Sequence, residues 1–264
     1  MTTSQDIDTI FTKQLENNAP LTLSKRIEYL IRVEKWIKSN KTVIKEAHYK
    51  DLQKPESEIE LAEIWYVLSE IKIAKKNLRR WMKPKRIGKS TLALSTAKAW
   101  LHYEPRGVVL IIAPWNFPFN LTIGPLVSAL AAGNRIIIKP SELTPNVSAM
   151  MGRMINEIFE SKCVAFFQGN QDVAEELLKH PFDHIFFTGS PSIGKIVMGA
   201  AAKHLSSITL ELGGKSPTII DDTAKMEMVT KKLAWGKCLN LGQSCISPDY
   251  ILVLIYHQRH LRQK

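Results

Sequence analysis

Apolar residues at helical spacing dominate the first part of the chain. Over residues 24–49, Ile27, Leu30, Ile31, Ile37, Ile44 and Ala47 recur with Lys and Glu between them, which predicts one amphipathic helix. A second is predicted from about Ser57, with Leu61, Ile64, Trp65, Leu68, Ile71 and Leu78 as its buried stripe and Pro84 closing it. Residues 90–103 change character. Thr91, Ala93, Ser95, Ala97 and Ala99 alternate with Leu92 and Leu94, and Trp100 follows, which predicts extended structure or a hairpin lying on a partner surface. After Pro105, short β-branched runs alternate with longer helical segments. Strands are predicted at 108–112, 135–138, 164–167, 185–187 and 208–210, buried on both faces because they are nearly continuous in apolar residues. Helices are predicted at 119–132, 145–159, 171–179 and 192–204. This alternation implies right-handed crossovers and an α/β fold, a doubly wound, Rossmann-like parallel sheet with helices on both faces.

Composition narrows the classes of function. A chain of 264 residues, 45% hydrophobic and 23% charged, is neither collagen-like nor largely disordered, and it suits one large domain or one domain plus part of a second. Lys+Arg 36 against Asp+Glu 25 leaves a net charge of +11, which favours anionic partners without choosing among nucleotides, nucleic acid and acidic lipid. The basic run Lys75, Lys76, Arg79, Arg80, Lys83, Lys85 and Arg86 falls at the end of the second helix, where cations favour the negative end of the dipole. It reads as a solvated helix end, and with no recognised RNA or DNA module nucleic acid is not an expected partner. The longest apolar stretches, 108–113 and 251–256, fall far short of the ~18 residues that a membrane span needs. Residues 1–11 carry Asp6 and Asp8, no basic residue and no apolar block, so no secretory signal is expected and the compartment is expected to be cytoplasmic. Cys163, Cys238 and Cys245 form no CxxC or CxxH pair, so neither a disulfide framework nor a metal site is expected.

In a doubly wound sheet, ligands sit outside the carboxyl ends of the strands. The loops there hold Ala113-Pro114-Trp115-Asn116-Phe117-Pro118, Lys139-Pro140-Ser141-Glu142, a Thr188-Gly189-Ser190 turn followed by Gly194, and Glu211-Leu212-Gly213-Gly214-Lys215. Thr188-Gly189-Ser190 opens a helix directly after a strand, where backbone N–H groups can receive a pyrophosphate; an ordinary strand-to-helix turn reads the same way. Lys139 and Glu142 can hold a ribose through its hydroxyls, or form a simple surface ion pair. Gly88-Lys89-Ser90 and Gly214-Lys215-Ser216 lack the upstream glycine of a phosphate-binding P-loop, since Lys83 and Thr209 stand there. Further on, Cys245 follows Gly242-Gln243-Ser244 near the predicted end of a 226–240 helix, among small residues where a thiol can be approached. Cys163 and Cys238 read instead as small buried hydrophobes within a strand and a helix. Asn116 offers a neutral donor suited to an oxyanion, its other reading being a helix N-cap; Glu211 offers a general base, its other reading being a surface carboxylate.

These motifs, in this order and approximate spacing over residues 106–253, resemble the aldehyde dehydrogenase superfamily. The segment Gly242-Gln243-Ser244-Cys245-Ile246-Ser247-Pro248-Asp249-Tyr250 is similar to its class 3 branch. The resemblance implies oxidation of a small-molecule aldehyde to a carboxylic acid with NAD or NADP. In that scheme Cys245 is the nucleophile, Asn116 with the Cys245 backbone N–H holds the thiohemiacetal oxyanion, and Glu211 activates the water that hydrolyses the thioester. Trp115, Lys139, Glu142, Gly189, Ser190 and Gly213 match cofactor-lining positions. It further implies N-terminal helices of the cofactor domain (1–87), a bridging hairpin (88–104), a dinucleotide-binding domain (105–211), the start of a catalytic domain (212–264), and the homodimer of full-length members. The family's Glu-Ile-Phe-Gly-Pro segment does not occur after the cysteine, and the similarity fades after Val253, where residues 254–264 turn basic. The expectation is therefore a truncated or frameshifted product, with a non-catalytic dinucleotide-binding remnant as the alternative reading.

Overall fold

The structure, a computed structural model, describes residues 3–17, 19–88 and 97–253. Helix α1 (Ser4–Glu16) leads, followed by α2 (Leu23–Ser39), α3 (Lys41–Leu52) and α4 (Glu56–Glu58). A π turn over Ile59–Trp65 runs from α4 into α5 (Tyr66–Trp81), and a short antiparallel pair, β1 (Lys85–Arg86) with β2 (Trp100–Leu101), comes next. The central alternation follows: β3 (Val108–Ile112), α6 (Asn120–Ala132), β4 (Arg135–Lys139), α7 (Pro145–Ile158), β5 (Val164–Phe166), α8 (Gln171–Leu177), β6 (His184–Gly189), α9 (Pro191–Lys203) and β7 (Ser207–Leu212). The chain continues through β8 (Ser216–Ile220), α10 (Met226–Cys238), a 3-10 turn over Leu239–Gly242, and β9 (Pro248–Val253).

Strands β3 to β7 form a five-stranded parallel sheet in the order β5-β4-β3-β6-β7. Successive side chains alternate between its faces, and the alternation sorts the core into two layers. Val109, Ile111, Ile136 and Ile138 face one layer, packed with α2, α3, α5, α6 and α7. Val108, Leu110, Ile112 and Ile137 face the other, with α1, α8 and α9. Winding outward from β3 to β5 and then back across to β6 leaves the crevice of the order reversal between β3 and β6, at their carboxyl ends.

The doubly wound sheet thus has the expected strands, but several expectations need correction. The single helix over 24–49 is two: Asn40 (φ −120°, ψ 23°) ends α2, and the chain turns there into α3. In the second helical region Leu61 and Trp65 are 48% and 59% exposed, because the buried stripe runs instead through Ile59, Glu63, Val67, Ile71 and Leu78. Strand β7 is only half-buried, as the edge strand covered by α9, whereas β3 is buried throughout. Cys163 is buried but precedes β5 rather than lying in it, and Cys238, the last residue of α10, is exposed. Helix α1 was not anticipated; it is fixed by a reciprocal cap between Thr3 and Asp6 and packs Phe11 edge-on against Phe182. A second, parallel pair formed by β8 and β9 was not anticipated either. Of the 90–103 hairpin, residues 90–96 lie outside the described residues, as do residues 254–264. Among the described residues no helix is long and apolar enough to cross a membrane, and no group of three His, Cys, Asp or Glu is arranged to hold a metal ion.

Candidate active site

All nine residues singled out from the sequence line one cleft of about 680 Å³ at the carboxyl edge of the sheet. They arrive at five places in the chain: the ends of β3, β4, β6 and β7, and the turn before β9. Trp115 and Asn116 follow β3; Trp115 sits at the surface and Asn116 is half-buried, four residues ahead of α6, so Asn116 is not that helix's N-cap. Lys139 closes β4 and is buried, its Nζ 2.7 Å from Glu142 Oε2. Burial pushes the Glu142 carboxyl up, but the hydrogen bond and charge of Lys139 outweigh it and hold the carboxyl below its ordinary value. Gly189 ends β6, and Ser190 caps α9, its Oγ accepting the Ile193 N–H at 3.4 Å; Pro191 then occupies the first helical position, where no N–H is needed. Glu211, opposite Thr188 in the β6–β7 pairing, is exposed, and Gly213 follows it with open space where a Cβ would stand.

Cys245 lies exposed in the turn between the 3-10 segment and β9. That turn is attached to the β3 loop through side chains and main chain together. Asn116 Nδ2 donates to the Gln243 carbonyl at 2.9 Å, and Asn240 Nδ2 donates to the Asn116 carbonyl at 2.9 Å and to the Gln243 carbonyl at 3.2 Å. An amide nitrogen carries two protons, so Asn116 keeps a second N–H beyond the one given to Gln243. Asn240 and Leu241 both have left-handed backbone (φ 52° and 56°), a costly conformation for two successive residues with side chains and one that persists only where surrounding contacts enforce it.

Several residues of the site escaped the sequence reading. Gln171, Ala174, Glu175 and Leu178 close the far wall of the cleft from α8 and its end. The loop after β5 that leads into them is at a carboxyl end like the others, so the rule of strand ends identifies it once applied to every strand. Beneath the Asn116 loop lies a buried polar cluster of His48, Lys54 and Glu63, all fully or almost fully enclosed. Lys54 Nζ donates to Glu63 Oε1 at 2.7 Å and to the Asn116 carbonyl at 3.0 Å. Glu63 feels burial first, which raises its pKa, yet His48 and Lys54 together hold it below the ordinary carboxylate value.

The donor set of the cleft fits a dinucleotide. The amino end of a 13-residue helix presents partial positive charge, an ammonium and a carboxylate at the end of β4 suit ribose hydroxyls, and Gly213 and Gly214 leave the approach open.

Residues 3–261 match the profile of the aldehyde dehydrogenase family. The chain is 45% identical over 218 residues to aldehyde dehydrogenase family 3 member B1 of Homo sapiens, covering 83% of this chain and 46% of that protein. It superposes on the substrate-bound state of Staphylococcus aureus AldH with TM-score 0.93 and 42% identity, over 100% of this chain and 57% of that one. It superposes on the NAD+ complex of aldehyde dehydrogenase from Bacillus cereus with TM-score 0.88 and 26% identity, over 98% of this chain and 54% of that one. The chain spans about half the length of the curated relatives it matches.

Proposed function

The chain belongs to the aldehyde dehydrogenase family, and from that premise we propose that it carries the nucleophile, the oxyanion donors, the hydrolytic base and the dinucleotide cleft of a nicotinamide-dependent oxidation of an aldehyde to a carboxylic acid. The observation that carries the reading is the convergence of Cys245, Asn116 and Glu211 with Lys139, Glu142 and Ser190 on one cleft, although their loops are scattered over more than a hundred residues.

The steps assigned to this chain's residues are these. The Cys245 thiolate attacks the aldehyde carbon; a C–S bond forms and the carbonyl oxygen becomes an oxyanion. The second N–H of Asn116 and the backbone N–H of Cys245 hold that oxyanion. Bound NAD or NADP supplies the hydride acceptor. Lys139 and Glu142 would hold the adenosine ribose, the start of α9 at Ser190 would receive the pyrophosphate, and Trp115, Gly189 and Gly213 would shape the approach. With the hydride passed to that acceptor, the former aldehyde carbon would be left as a thioester on Cys245. Glu211 then takes a proton from water as its oxygen attacks the thioester carbon; the C–S bond breaks, the acid leaves and the thiolate returns.

The test is direct. The purified chain is mixed with NAD or NADP and a panel of aldehydes, and reduced nicotinamide and the intact mass are followed together. Reduced nicotinamide with an acyl adduct mapped to Cys245 supports the reading. Dinucleotide binding with neither product would reduce the chain to a binding function, and adducts confined to Cys238 would overturn the nucleophile assignment.

A further inference from the structure

A buried ion pair lies directly beneath this site, away from the cleft, and no step assigned above uses it. Lys54 is 3% exposed, and every direction of its ammonium is engaged: Glu63 Oε1 at 2.7 Å, the Asn116 carbonyl at 3.0 Å, and the face of the Phe117 ring, whose centroid is 4.5 Å away. Glu63 is 0% exposed; Oε1 also lies 3.4 Å from His48 Nε2, and Oε2 accepts the Asn120 backbone N–H at 2.8 Å. The carboxylate therefore grips the first residue of α6 while its lysine grips the carbonyl four residues earlier, so the Asn116 loop is held at both ends. The π turn makes this possible: it is where the helical ladder widens, and the Ala62 carbonyl there accepts Asn120 Nδ2 at 2.9 Å.

The Asn116 carbonyl is a junction, because Lys54 reaches it from the helical layer and Asn240 reaches it from the Cys245 turn. The turn is in turn held by Glu58, whose Oε2 accepts the Asn240 N–H at 2.9 Å, and by the Gln243 N–H donating to the Asn240 carbonyl at 3.0 Å. Two strained residues, Asn240 and Leu241, stand in it.

We propose that the Lys54–Glu63 pair is a positioning device, which fixes the Asn116 carbonyl so that Asn240 can lock the strained Cys245 turn onto the oxyanion loop. A pair kept only for stability has a cheaper substitute, since well-packed apolar residues commonly replace a buried ion pair at no loss. Apolar residues cannot hold a carbonyl oxygen in place, and that is the task the geometry gives to Lys54. The proposal rests on the assignment of Asn116 and Cys245 made above, but its test needs neither aldehyde nor dinucleotide.

The test is amide hydrogen exchange on the whole chain, with thermal denaturation as a control. In the double variant Lys54→Met with Glu63→Leu, no buried charge is left unpaired. The Asn120 N–H loses its acceptor, so the expected result is a thermal midpoint lowered by several degrees at most, with exchange at Asn240 and Gln243 at least tenfold faster. A purely structural pair would loosen residues 52–66 alone, and exchange at Asn240 and Gln243 within twofold of the unmodified chain would overturn the proposal. Should the double variant fail to fold, Asn240→Gly approaches the junction from the other side, keeping the left-handed turn while deleting both amide bonds. Faster exchange at Asn120 and Leu121 is then expected, and unchanged exchange there refutes the coupling. Failure of aldehyde oxidation alone would leave these measurements standing, so the two readings fail separately.

Discussion

Replacing Glu211 with Gln separates the two halves of the proposed reaction. The side chain is exposed at the end of β7, and among the described residues it makes no hydrogen bond or ion pair, so the isosteric change should shift stability by no more than about 0.5 kcal/mol. What it removes is a proton acceptor facing the same cleft as Cys245. A positioned general base contributes roughly 10²–10⁴-fold, equivalent to about 3–5 kcal/mol of barrier, and on this mechanism the whole loss falls on thioester hydrolysis because attack by the thiolate and departure of hydride do not use the base. The acyl-Cys245 species should therefore persist about 10²–10⁴ times longer in Glu211→Gln. Intact mass spectrometry after mixing with aldehyde and NAD should show the adduct rising to one per chain, accompanied by one equivalent of reduced nicotinamide and little after it. Steady production at the unmodified rate, or absence of both adduct and burst at an unchanged thermal midpoint, would refute the role given to Glu211.

Arg26→Met should cost about 2–4 kcal/mol, because a buried guanidinium donates to the Leu21 carbonyl at 2.7 Å and the Ala131 carbonyl at 2.9 Å, and both acceptors would be left enclosed without a partner. A fall in thermal midpoint of less than about 2 °C would contradict that accounting. Glu63 has a folded-state pKa below its unfolded value of 4.5, so its contribution to stability is present above pH 4.5 and is lost as pH falls through the lower folded value. Glu63→Gln should flatten that acid limb, read from urea midpoints at a series of pH values; an unchanged slope would show that the carboxyl is not ionised in the folded chain. With limiting iodoacetamide, Cys245 should be alkylated first, from its exposed turn, and Cys163 last, because burial pushes its thiol up more than Arg135 and Tyr29 bring it down. Labelling of Cys163 in the folded chain at the rate of Cys245 would rule this out.

The sheet was legible because its inner strands are apolar on both faces at their centres: β3 throughout, and β4 over Ile136, Ile137 and Ile138, a pattern that only helices on both sides can satisfy. The cleft was legible for a related reason. A parallel sheet has one chemically useful edge: Asn116, Glu142 and Ser190 stand just beyond the ends of three strands, and Glu211 is the next-to-last residue of a fourth. Less was visible where tertiary contacts outweigh local pattern. Residues 24–49 show unbroken helical spacing, yet the chain breaks at Asn40 so that α3 can pack on α7. The β8–β9 pair joins segments separated by a whole helix, and parallel pairing at that separation leaves no turn signal to read.

The misplaced stripe of the second helical region shows why the positioning pair was invisible. Ile59, Glu63, Val67 and Ile71 are four residues apart and form one buried row, but counting Glu63 as polar moves the inferred apolar face round to Leu61 and Trp65, which are exposed. The charge is admitted to the row only because Lys54, His48 and the Asn120 N–H meet it there, and Lys54 lies nine residues away in the break between α3 and α4. Neither residue advertises its partner by spacing. An acidic residue flanked at i−4, i+4 and i+8 by β-branched apolar residues is nevertheless a specific signal: either the helix faces water along its most apolar row, which costs about 1.5–3 kcal/mol for each exposed side chain, or the acid is buried with a cation. The second alternative is the cheaper one, and it directs the search for a lysine or arginine to the neighbouring helix end, where Lys54 stands.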